Sequence, residues 1–195
     1  MSLLVDWKDL PDVPLQTEAL VLNGSATKAA VEHLAQLKEV KHLEFGDQTS
    51  VQTMMEVLQH PKLASNLLRL WFPKKDTESL VSSLPTQLQS LVWHVPHPAA
   101  DEPKLLELPQ LEELKIVCLC PVFQLAHIPT LTTVHLDHLL SAYLERTVYH
   151  LPTQLKGLVI SNMKSSHSPI PPVSLGRLTQ LVNLHLRTEI VWDWG

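Results

Sequence analysis

Apolar residues recur along this chain in one phrase, Leu-x-x-Leu-x-Leu or a near variant. It stands at Thr17/Leu20/Leu22, Val40/Leu43/Phe45, Leu67/Leu70/Phe72, Leu88/Leu91/Trp93, Leu111/Leu114/Ile116, Leu131/Val134/Leu136, Leu155/Leu158/Ile160 and Leu181/Leu184/Leu186. Only Thr17 breaks the apolar rule. Counted on the middle members, at 20, 43, 70, 91, 114, 134, 158 and 184, the steps run from 20 to 27 residues. Inside each phrase the spaced apolar positions alternate with polar or small ones, the period of a strand with one face buried. The segments between strands differ in kind. Residues 27–37 and 51–58 have helical spacing, and 139–148 supplies another helix. Residues 95–103 and 161–172 hold too many prolines and polar residues for a full helix.

What precedes the strands repeats as well. Leu84-Pro85-Thr86-Gln87-Leu88 returns as Leu151-Pro152-Thr153-Gln154-Leu155, with Leu108-Pro109-Gln110 and Ile128-Pro129-Thr130 as versions one residue shorter. Proline has no N–H to give to a strand ladder, so its place just ahead of the alternation sets the strand start without losing a hydrogen bond inside it.

From about residue 13 to residue 187 the chain resembles the leucine-rich-repeat superfamily through these phrases. The resemblance implies one α/β solenoid, with about eight parallel strands on a concave face and helical or irregular convex returns. Residues 1–12 are then an N-terminal cap and 188–195 a C-terminal cap or tail, the whole of 1–195 forming a single domain. The Leu-Pro-Thr-Gln-Leu-x-x-Leu wording is also similar to the lead-ins of FNIP-type repeats and of repeat arms in ubiquitin-ligase adaptors and bacterial effector ligases. One departure stands out. The superfamily follows its core by three residues with Asn or Cys, whereas here those places hold Ser25, Gln48, Lys75, Pro96, Leu119, Leu139, Met163 and Glu189. No asparagine ladder forms there, so the turns satisfy their backbones otherwise. Leu10-Pro11-Asp12 is only a fragment of an F-box-like segment.

Composition narrows the function. At 195 residues, one domain is the natural size, and 45% hydrophobic residues supply a core. Charged residues make up 18% and the net charge is −5, so no broad basic field exists to hold a phosphate backbone, and a nucleic-acid role is disfavoured. No apolar run approaches the roughly 20 residues of a membrane span, and Asp6 interrupts the N-terminal one too early for a signal peptide. Cys118 and Cys120 lie too close for an ordinary disulfide and are expected to be packed thiols, which suits a cytoplasmic, reducing location. Asn23-Gly24 reads as a turn.

Chemistry-bearing clusters are few. Among the 11 histidines the tightest group is His135, Asp137 and His138, of which the first two share a strand face. Neither they nor the cysteines reach four metal ligands at recognisable spacing, and no phosphate loop or nucleophile elbow is present. The expected state is therefore a chain without metal, cofactor or catalytic site. It binds a protein or peptide through its concave sheet, as a scaffold or the recognition arm of a ligase. The competing reading is a hydrolase built around His135 and Asp137. Of the five tryptophans, Trp93 falls in the core phrase. Trp7 is expected to cap one end, and Trp192 and Trp194 to cap the other or dock a partner. Trp71, between Leu70 and Phe72, points outward. Partner binding is accordingly expected to centre on Trp71, with Arg69, Val92, His94, Lys115 and His135 around it, a mixture enriched in interface hot spots.

Overall fold

The computed structural model describes residues 2–73, 78–95, 104–105, 107–118, 123–163 and 175–187. They belong to two compact units, 1–94 and 95–195. The class is α/β, with parallel strands that succeed one another in chain order.

In the first unit, β1 (Leu3–Asp6), β2 (Ala19–Asn23), β3 (His42–Phe45), β4 (Arg69–Trp71) and β5 (Ser90–Val95) pair parallel, each with the next. The register aligns Leu20, Leu43, Leu70 and Leu91, the middle members of four sequence phrases. All four are buried. In the second unit β7 (Glu113–Cys118), β9 (Thr133–Asp137), β10 (Gly157–Ser161) and β11 (Asn183–Arg187) align Leu114, Val134, Leu158 and Leu184 in the same way. Two short strands, β6 (Lys104–Leu105) and β8 (Phe123–Gln124), pair parallel beside them. The eight anticipated strands are all present. The additions are β6, β8 and β1, the last of which lies within the residues expected to be a cap.

Helices form where side-chain caps and apolar spacing coincide. α1 (Lys28–Leu34) starts at Thr27, whose hydroxyl accepts from the Ala30 N–H at 3.2 Å. α2 (Val51–Gln59) starts at Ser50, which accepts from Thr53 N–H at 3.1 Å, and turns Met54, Val57 and Leu58 inward. Pro61 then opens the short α3 (Pro61–Ala64), where its missing N–H costs nothing. α4 (Leu144–Tyr149) is one part of the helix expected over 139–148; a 3-10 turn, Ser141–Tyr143, precedes it. The expected irregular returns over 95–103 and 161–172 lie mostly outside the described residues, as do Trp192, Trp194, Cys120 and the Cys118 side chain.

Trp7 is buried just after β1 in the first unit. It is 1% exposed and opens a 3-10 turn, Trp7–Asp12. Its indole N–H reaches the Thr49 hydroxyl at 3.4 Å, and that hydroxyl donates to the Leu22 carbonyl at 3.2 Å. Thus a buried threonine satisfies a main-chain carbonyl of β2. At the ends of three strands the next residue takes a left-handed backbone: Gly24 (φ 83°), His138 (φ 61°) and Asn162 (φ 51°). These occupy equivalent places one residue beyond Asn23, Asp137 and Ser161. Gly46 is constrained differently, since a Cβ there would lie 1.6 Å from Asn23 Oδ1.

A polar ladder exists, but on the lead-in side of the strands. In four of the phrases the residue just before the first core leucine sends its side chain to a main-chain carbonyl of the preceding repeat. In the first unit Asn66 Nδ2 donates to the Lys38 carbonyl at 3.1 Å, and Gln87 Nε2 to that of Ala64. In the second, Gln154 Nε2 donates to the Ile128 carbonyl at 2.7 Å; Thr130 Oγ1 lies 3.0 Å from the Pro109 carbonyl and 2.8 Å from that of Leu111. The proline phrase makes the turn beneath it: the N–H groups of Leu88 and Leu155 close on the carbonyls of Pro85 and Pro152, both at 3.2 Å.

Candidate functional site

Alternation along the strands places every second residue on the face opposite the core. In the first unit the register lays Glu44 beside Trp71 and Trp71 beside Val92, with His42 beside Arg69 and Arg69 beside Ser90 in the adjoining row. His94, two residues beyond Val92 on β5, shares that face. β4 is well held. Leu70 and Phe72 on either side of Trp71 are buried, and the Phe72 ring stacks on Phe45 with centroids 6.0 Å apart and planes at 12°. With both neighbours fixed in the core, the indole has nowhere to go but outward. Trp71 is 42% exposed, whereas Trp7 and Trp93 are each 1% exposed. Arg69 is exposed beside it, and Val92 and His94 are half-buried.

Burial also sets the electrostatics around Trp71. The Glu44 carboxyl is raised above its ordinary value because its neighbours strip away water. His42 is lowered, first by burial and then by the Arg69 guanidinium, with Glu18 opposing and Lys41 assisting. The charged forms of both side chains are therefore disfavoured on the strand face that carries Trp71. Neither His42 nor Glu44 stood among the expected binding residues, although both occupy outward places in the alternation.

In the second unit the register sets Lys115 beside His135, as expected, and Asp137 beside Ser161. Here the structure adds a connection that the sequence reading missed. His135 Nε2 lies 2.7 Å from Ser161 Oγ; Ser161 donates to Asp137 Oδ1 at 2.9 Å, and Asn162 Nδ2 donates to the same oxygen at 2.7 Å. Burial opposes the charge on Asp137, but the hydrogen bonds from Ser161 and Asn162, aided by His138 and Lys115, outweigh it and hold the carboxyl below its ordinary range. His135 is lowered by burial first, then by Lys115 and Arg187, against Asp137 and Glu113.

A serine between a histidine and an aspartate resembles a nucleophile site in composition, but the order differs. A hydrolytic serine passes its proton to histidine, which the carboxylate orients. Here the hydroxyl proton is directed to the carboxylate, so the imidazole meets a lone pair of Ser161, which is itself buried. The arrangement suits fixing the strand ends at Asp137 and Ser161, where two left-handed residues begin the turns. Among the described residues no group of three or more His, Cys, Asp or Glu side chains is placed to hold a metal ion. No helix among them is long and apolar enough to cross a membrane.

Comparison with known proteins finds no family model that matches the chain and no curated protein similar to it in sequence.

Proposed function

We propose that the chain is a non-catalytic leucine-rich-repeat module that binds a protein or peptide through the concave, outward face of its strands. The observation that carries this reading is Trp71, an indole 42% exposed on a rigid three-residue strand whose neighbours are locked in the core. Exposed aromatic area beside an arginine is what interface hot spots are made of. Strands of the first unit offer Arg69, Val92 and His94 around it, with His42 and Glu44 as further contacts. Lys115 and His135 offer a second, basic and polar stretch in the other unit. The phrases aligned in register within each unit support the repeat type. A role as the recognition arm of a ubiquitin ligase follows the resemblance of the lead-ins.

Selection of a displayed peptide library against the full chain, followed by calorimetry on the peptides obtained, tests this. Trp71→Ala is expected to weaken their binding by roughly 2 kcal/mol or more while leaving the melting temperature nearly unchanged. Lys38→Ala, on the return side, should change neither. A library that yields binders indifferent to Trp71→Ala overturns the site.

A hydrolytic reading rests on the 2.7 Å approach of His135 to Ser161. A fluorophosphonate probe distinguishes it: covalent labelling at Ser161, abolished in His135→Gln, would favour hydrolysis over binding alone.

A further inference from the structure

The strands at the two chain ends of the sheet pairings carry apolar side chains that the interior strands bury. Leu184 and Leu186 of β11 are 40% and 59% exposed, although their register partners Leu158 and Ile160 on β10 are buried. On β1, Leu3 and Leu4 are exposed, while Leu20, the register partner of Leu3, is buried. Among the described residues β11 pairs only with β10 and β1 only with β2. Neither strand contains proline or an inward charge, the usual protections of a free edge.

The two edges also match each other. Every step of the parallel register equates the middle core residues: Leu158 with Leu184 at one end, and Leu3 with Leu20 at the other. Continuing that rule from β11 of one molecule to β1 of another sets Leu184 beside Leu3 and Leu186 beside Val5 on the core side. On the outward side it sets His185 beside Leu4 and Arg187 beside Asp6. On the core side apolar residues meet apolar ones, and on the outward side Arg187 of β11 meets Asp6, the single anion of β1. Asp6 has about half its side chain exposed, and its ion-pair partner among the described residues, Lys8, is distant at 3.9 Å.

We propose that β11 of one copy docks on β1 of a second copy, extending the parallel sheet head to tail with Arg187 paired to Asp6. The contact is heterologous, so each added copy presents a new free edge and association continues past the dimer.

Sedimentation velocity of the full chain over a concentration series tests this. The average mass is expected to rise with concentration beyond that of a dimer. Asp6→Lys and Arg187→Glu each bring like charges together in the docked register, and each should raise the dissociation constant roughly tenfold or more. An equimolar mixture of the two variants should recover association, because the altered edge of each then faces an opposite charge on the other. Leu186→Asp, at an exposed place that folding does not require, should leave a monomer. A monomer at every concentration overturns the proposal and is the result expected if residues after Arg187 cover β11 instead. Association that ignores both charge reversals, or a mixture that fails to recover while both variants melt like the parent, overturns it as well.

Discussion

At Ser161 one hydroxyl joins a histidine and an aspartate that the chain separates by 26 and 24 residues. The pH response of this cluster has a definite sign. His135 has a folded value below its ordinary 6.5, so as pH falls the unfolded chain takes up that proton first. The stability it contributes is present above about pH 6.5 and is lost as pH falls from there through the folded value. Asp137 is lowered from 3.8, so its contribution stays intact down to that pH and is lost only below it. Thermal melts at pH 7.5 and 5.5 should show the parent losing stability and His135→Gln losing less, with His42 responsible for part of what remains. An unchanged slope in the variant would mean that the imidazole is not desolvated. Trp71 and His135 were legible as outward residues because alternation alone decides which way a side chain faces. Ser161 was legible only as a flanking outward residue. Its link to His135 runs diagonally between strands, and no spacing within one strand encodes it.

Among the elements, the lead-in turns carry the polar ladder. Gln154→Leu removes the closer of two donors to the Ile128 carbonyl, which keeps the longer bond from the Leu131 N–H at 3.4 Å, an expected cost of about 1 kcal/mol in chemical denaturation. Gln52→Ala, which loses only an exposed pair with Glu56 on α2, should stay within roughly 0.5 kcal/mol. Equal effects from the two would deny the ladder its role. The Leu-Pro-Thr-Gln-Leu phrase was plain in the sequence as punctuation, yet its hydrogen bonds were not. Asn66, Gln87, Thr130 and Gln154 share a position and a donor without all sharing a letter, and the places three residues past each core hold no asparagine. Helices α1 and α2 were readable from the helical spacing over 27–37 and 51–58. The short α3 was not, because four residues carry no period.

For the whole molecule, stability rests on the aligned apolar rows. Leu91, Leu114 and Leu158 are fully buried, and register partners within their own units, Leu70 beside Leu91 and Val134 beside both Leu114 and Leu158, help to fix the space they fill. Each replaced by Ala should cost about 2–5 kcal/mol, read from denaturant midpoints. Three variants that unfold like the parent would contradict the register. The strand rows were recoverable from the sequence because one phrase recurs with only modest variation in step. The strand β1 escaped, since Leu3-Leu4-Val5 lacks the full phrase and becomes a strand only by pairing with β2. The lead-in ladder also bears on how such a chain tolerates change over generations. Its acceptors are carbonyl oxygens, which every amino acid possesses, and its donors are single side chains. Mutation can therefore break each seam from one side only, and the sequence beneath the acceptor is free to drift.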